Sequence, residues 1–202
     1  MACPHQTTED GIELQFGGNH IGHFLFTNLI MPKIVTSKTP RIVNVSSDGH
    51  KLGSIRFDDW NFQNGKVYEP WEAYGQSKTA NILFSKSLAQ KLGPKNLRAY
   101  SLHPGVIFGT SLAPGLNDSD LAGLMKRCAE IGWENSLDQK TLDEGTATHV
   151  SAAFDPRLDD FNGTYLEDGN LSDDVWPHAT DLEAAEKLWK LSEKLVGQTF
   201  QY

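Results

Sequence analysis

The chain has 202 residues, enough for one domain with a sizeable core, and a formal net charge of −8 with 39% apolar residues. That acidic balance argues against nucleic acid and anionic membrane as partners, because both are bound through basic surfaces. Two cysteines, Cys3 and Cys128, make neither a disulfide framework nor a metal motif, no signal peptide is visible, and no apolar run approaches the ~18 residues of a membrane span; a reducing, cytoplasmic setting without a metal is the expectation.

The first predicted element is a helix within residues 8–35. Ile12, Phe16, Ile21, Phe24, Leu25 and Leu29 give it an apolar side. Gly17 and Gly18 each cost about 1 kcal/mol in a helix interior, so they mark a bend or a close approach beside Asn19. Taken alone, Asn19 reads as a polar residue bonding nearby backbone. His20 and His23 are not at metal-ligand spacing and read as packing or surface. Arg41 to Ser47, RIVNVSS, reads as a buried strand ending in serines. A long polar loop, 48–68, follows. Its Phe57, Trp60 and Phe62 read first as a small cluster under the loop and second as the lining of a pocket.

Residues 69–93, EPWEAYGQSKTANILFSKSLAQKLG, read as one helix. Pro70 suits the first turn and Gly93-Pro94 is a stop signal. Ile82, Leu83, Leu88 and Leu92 are its apolar positions, and Ala73, Gly75, Ser77 and Ala80 make a side small enough for close packing. Tyr74 and Lys78 lie four residues apart, hence on one face. A free phenol, with a pKa of about 10, is a poor proton shuttle at neutral pH; a neighbouring ammonium favours the phenolate, and reaching ~7 takes roughly 4 kcal/mol. The plainer reading is a half-buried aromatic beside a solvated lysine, since Y-x-x-x-K is common by chance.

Arg98 to Gly105, RAYSLHPG, reads as a second strand and a turn. Strand, loop, helix, strand is the order of a parallel α/β sheet, in which ligands bind beyond the carboxyl ends of the strands. Ser46-Ser47 and Pro104-Gly105 fall at such ends. Residues 104–133 turn amphipathic, with Leu116, Leu121, Leu124, Met125, Cys128, Ile131 and Trp133 on the apolar side. Thr141-x-x-Glu144 is a capping box for a helix to about Phe154, ended by Asp155-Pro156. Residues 163–167 read as the last strand. Thr180-x-x-Glu183 is a second capping box, opening a helix whose Leu182, Leu188, Leu191 and Leu195 face inward.

Four segments, in this order and spacing, resemble the short-chain dehydrogenase/reductase family, in its retinol-dehydrogenase-like and WW-domain-oxidoreductase-like branch: NHIGHF at 19–24, RIVNVSS, YGQSK at 74–78 and HPGVI at 103–107. The resemblance implies a Rossmann-like, doubly wound parallel α/β sheet. It implies Tyr74 as catalytic acid/base, with Lys78 lowering its pKa and holding the nicotinamide ribose. Ser47, rather than Ser46, would bond the substrate oxygen, and Asn19 would anchor a water that relays protons through Lys78. Ile107 would meet the carboxamide end of NADP, or of NAD. Thr110 would do so too, although it sits one residue later than the usual P-G-x-x-x-T spacing.

The family opens with a strand and a T-G-x-x-x-G-x-G loop that holds the pyrophosphate. Gly17, Gly18 and Gly22 come nearest but follow no strand. The expectation is therefore a single, incomplete domain over 1–202, with strands equivalent to the family's fifth, sixth and seventh. RIVNVSS then becomes a sheet edge, and the dinucleotide binds weakly. Expected partners are a small apolar alcohol or carbonyl substrate and a second copy of the chain. Two other readings stand beside the oxidoreductase. One is an inactive form acting only by association through the exposed edge. The other is a hydrolase using Ser47 with His50 or His103, which lacks a G-x-S-x-G elbow.

Overall fold

The structure, a computed structural model, describes residues 1–110, 112, 117–134 and 139–202. Strands β1 (Arg41–Val45), β2 (Arg98–Leu102) and β3 (Tyr165–Glu167) run parallel, and β4 (Asn170–Leu171) returns antiparallel to β3, in the order β1-β2-β3-β4. Register pairs Val43 with Tyr100 and Ser101 with Tyr165. Alternation along each strand sends successive residues to opposite faces. Ile42 and Ala99 join one core with Phe24, Phe84, Leu88 and Trp189, while Val43, Tyr100 and Leu102 join another with Ala152 and Leu158.

Helices α1 (Leu14–Phe16), α2 (Gly22–Ile34), α3 (Pro70–Leu92) and α6 (Leu182–Val196) supply the first layer; α5 (Leu142–Phe154) covers the second face, and α4 (Asp118–Ile131) packs at the start of α3. The doubly wound α/β arrangement expected from the sequence is present. Leu116 lies outside the described residues. Within α4, Leu124 and Cys128 are buried but Leu121 and Met125 are exposed.

α3 organises the rest. Glu69 caps it, its carboxylate accepting from the Trp71 and Glu72 N–H groups, and Pro70 follows at the first helical position. Its small side lies against the turn after β1. A β-carbon added at Gly75 would stand 2.3 Å from the Gly53 nitrogen, so only glycine allows this approach. Polar side chains of α3 then fasten the end of β1: Asn81 and Lys78 donate to the Val45 carbonyl, and Asn44 donates to the Ser85 hydroxyl.

Four details differ from the sequence reading. The first helix starts only at Leu14, because Glu13 caps it and residues 7 and 13 form a bridge before it. Gly17–Ile21 is a π-turn, an extra residue inserted where Gly17 lies close to Thr8, a β-carbon there standing 2.6 Å from Thr8 Cγ2. β4 was not foreseen, although Asp168-Gly169 is a hairpin signal and both residues take positive φ. The last helix is capped by Asp181, not Thr180, since the Thr180 hydroxyl is spent on the Pro177 carbonyl; Leu182, at the exposed first position, does not face inward.

Candidate active site

β1 and α3 converge at the carboxyl edge of the sheet. Ser46 and Ser47 leave β1 in succession, and their hydroxyls go different ways. Ser46 donates to the Lys78 carbonyl at 2.8 Å and is buried. Ser47 caps the turn Asp48–Leu52, accepting from the Gly49 N–H, and its hydroxyl is the hydrogen-bonding neighbour of the Tyr74 phenol. Gly49 is needed for this contact, because a β-carbon there would lie 2.6 Å from Tyr74 Cε1. Lys78 Nζ sits 5.6 Å from the Tyr74 ring centroid and donates to the Val45 carbonyl at 3.2 Å. Ser47, Tyr74 and Lys78 thus share one place.

The electrostatics of the pair differ from the sequence expectation. Burial pushes the Tyr74 phenol up to about 12, with the Ser47 hydroxyl opposing it. Burial also pulls Lys78 down to about 8. Each group is driven toward its neutral form, and desolvation outweighs the attraction that was expected to lower the phenol.

Asn19 sits in the π-turn and donates to the Ser77 hydroxyl at 2.9 Å; that hydroxyl donates on to the Tyr74 carbonyl at 2.8 Å. It is therefore tied to α3 one residue from Lys78. Ile107 is half-buried against α5, where a β-carbon at Gly145 would meet its Cδ1 at 2.2 Å. Thr110 is exposed, its hydroxyl accepting from the Leu112 N–H at 3.4 Å. Neither is drawn to the Ser47–Tyr74–Lys78 cluster by a direct bond. His50 is committed elsewhere: its Nδ1 donates to the Ser47 carbonyl and its Nε2 accepts from the Trp176 N–H. With that ring on backbone and held neutral by burial, down to about 3, it is no base for the Ser47 hydroxyl. His103 faces Asp48 instead.

Trp71 was missed. It is buried about two turns before Lys78, packs edge-on to Tyr74 at 6.3 Å and donates from Nε1 to the Asp120 carbonyl, linking the site to α4. Its position beside Tyr74 on an apolar helix was the available signal. Phe62 is fully buried, and Phe57 and Trp60 pack against the core that holds Phe16 and Leu83, so the loop aromatics form a cluster under the loop.

A tyrosine, a lysine and a serine are gathered at the carboxyl ends of a parallel sheet, the place where α/β proteins of this architecture bind ligands. No family model matches the chain. It is 41% identical to human retinol dehydrogenase 13 over 199 residues, covering 98% of the chain and 58% of that protein. It is 38% identical to human retinol dehydrogenase 14, covering 96% and 55%, and 37% identical to the short-chain dehydrogenase/reductase prx1 of Penicillium roqueforti, covering 98% and 60%. A solved structure of an uncharacterized protein from Mycobacterium paratuberculosis superposes with a TM-score of 0.66 at 34% identity, over all of this chain and 65% of that one. An NADPH-bound carbonyl reductase from chicken fatty liver shares the fold, with a TM-score of 0.51 at 18% identity over 86% of this chain and 60% of that one. The chain belongs to the short-chain dehydrogenase/reductase family. It spans 55–60% of the length of these curated relatives. No helix among the described residues is long and apolar enough to cross a membrane.

Proposed function

We propose that this chain carries the proton-transfer side of an NAD(P)-dependent oxidoreductase that acts on an apolar alcohol or carbonyl compound in the cytoplasm. The observation that carries the reading is the meeting of the Tyr74 phenol, the Ser47 hydroxyl and the Lys78 ammonium. Tyr74 exchanges a proton with the substrate oxygen, and Ser47 orients that oxygen by a hydrogen bond. Lys78 uses one of its three donors on Val45, so two remain for the ribose hydroxyls of a nicotinamide nucleotide. This fits the nicotinamide half of such a cofactor, NADP or NAD, with Ile107 beside it. When bound, the nicotinamide supplies or accepts the hydride. Asn19 holds Ser77, and through it the turn of α3 that bears Tyr74.

The magnitudes favour one direction. Bringing the phenol from about 12 to ~7 takes roughly 7 kcal/mol. A unit charge at the 5.6 Å that separates Lys78 Nζ from the ring centroid supplies only about 3 kcal/mol at an effective protein dielectric. Carbonyl reduction starts from the protonated phenol, the form this fold holds, whereas alcohol oxidation starts from the phenolate. Reduction of an apolar aldehyde, followed by loss of NADPH absorbance across pH, is the test. The rate should fall as pH rises through about 8, where Lys78 gives up its charge. A profile that stays flat well above that value removes Lys78 from the mechanism.

A second reading, association without catalysis, draws on the free edge of β1 and on Phe26, Leu29 and Ile30, which stand exposed on α2. A second copy of the chain is the partner it names. Sedimentation at micromolar concentration separates the two, since a monomer that turns over aldehyde fits only the first.

A further inference from the structure

The ends of the three parallel strands hold a second group of side chains that the proton-transfer site does not use. Asp48 opens the turn after β1, His103 follows β2, and Glu167 is the last residue of β3. One ligand atom from each lies within 4.8 Å of the others. We propose that Asp48, His103 and Glu167 bind a first-row divalent cation of the Zn²⁺ class, which ties the carboxyl ends of β1, β2 and β3 together.

Two observations support a ligand here besides the cluster itself. His103 is 94% buried and its Nδ1 has no hydrogen-bond partner; Asp48 Oδ1 meets Lys51 Nζ at 3.4 Å. Tyr165 is 97% buried, its hydroxyl is also without a partner, and it lies within range of the charges of Asp48 and Glu167. Buried polar groups are rarely left so, and two in one place, an imidazole nitrogen and a phenol hydroxyl, point to something they bind. One imidazole and two carboxylates suit Zn²⁺, and less tightly Mn²⁺, with a fourth position open to water. A water on the cation would give the Tyr165 hydroxyl its missing partner. Metal–ligand bonds of about 2.1 Å bring ligand atoms to about 3.4 Å of one another. His103 Nε2 and Asp48 Oδ2 are already 3.9 Å apart, so small side-chain rotations close the shell.

Charge balance supplies both the argument and its rival. Among the described residues, Asp48, Glu167 and Asp174 face the buried ammonium of Lys51, which is 2.6 Å from Asp174 and 3.4 Å from Asp48, while Lys140, paired with Asp168, acts on His103. A dication would take Asp48 and leave Lys51 on Asp174. In the rival arrangement Lys51 alone serves as counter-ion. The sequence reading expected no metal, on the cysteines and the spacing of His20 and His23; residues 48, 103 and 167 are scattered along the chain and only the sheet brings them together.

The test uses the whole chain, stripped with a chelator and titrated with ZnCl₂ by calorimetry. One equivalent should bind at micromolar affinity and raise the midpoint of thermal unfolding. Asp48→Asn and Glu167→Gln should each weaken binding about tenfold or more while the circular dichroism is retained. Lys51→Gln should tighten it. Co²⁺ added to the unaltered protein should give the strong visible bands of a four-coordinate site with a nitrogen ligand, a readout that needs no variant to fold. The proposal is overturned if ZnCl₂ does not bind at about 1 mM, or if both carboxylate variants bind it as well as the unaltered chain. It is equally overturned if Lys51→Gln leaves affinity unchanged, which would make the lysine irrelevant to the cluster.

Discussion

The two sides of strand β1 are unlike. On the α3 side, Ile42 enters a closed core, Asn44 bonds Ser85, and the Val45 carbonyl accepts from both Asn81 and Lys78. Along its outer edge, Leu29, Ile30 and Lys33 of α2, Val43, and Phe154 of α5 line an open trough of about 870 Å³, and Phe154 is 78% exposed. The difference teaches where precision resides. The groups proposed for proton transfer, Ser47, Tyr74 and Lys78, belong to the closed side, held there by named bonds and by glycine contacts at Gly49 and Gly75. The open side offers apolar surface and a free strand edge, and none of the expected catalytic residues lines it.

The first way to sharpen the comparison is acid. His20 lies in the closed core beneath α2, bonded to Ser192 and ringed by Phe16, Phe24 and Phe84, and burial lowers its pKa from 6.5 to about 3. A depressed imidazole means that the unfolded chain takes up a proton the folded chain refuses. Stability from this group is full above pH 6.5 and is lost as pH falls from there toward about 3, by as much as about 5 kcal/mol. Denaturant unfolding at a series of pH values should show that slope, and His20→Leu should make it shallower by one proton, leaving the part that belongs to His50.

Next comes Gly75→Ala. The added methyl would meet backbone at Leu52 and Gly53, which cannot rotate away, so a loss of about 3 kcal/mol is expected. A loss under about 0.5 kcal/mol would mean that the turn after β1 yields, and that α3 does not fix Tyr74 as described. Asn19→Ala removes one bond to Ser77 and should cost about 1 kcal/mol, measured in the same titration. The smallest effect belongs to the open side. Phe154→Ser should change stability by less than about 0.5 kcal/mol while reducing self-association seen by light scattering. A large loss of stability there would show that the trough is core after all.

Much of this was legible in the residues. Pro70 after a capping acid, the Thr141–Glu144 box and the serines at the end of RIVNVSS are local signals, and each marks the element it predicted. The meeting of Ser47, Tyr74 and Lys78 was legible because parallel α/β order puts strand ends and helix starts together. What was not legible depends on burial or on distant partners. The phenol's upward shift reflects the depth of its packing, which spacing does not report. Thr180 looked like a cap, but a preceding turn had claimed its hydroxyl. Asp48, His103 and Glu167 share no sequence neighbourhood, and only strand register unites them.

The central claim is that the Tyr74 hydroxyl carries the proton. It is tested most directly by Tyr74→Phe, with aldehyde reduction and NADPH fluorescence followed together. The account predicts loss of reduction by at least about a thousandfold, with cofactor affinity nearly unchanged. Retained turnover in the phenylalanine variant would contradict it.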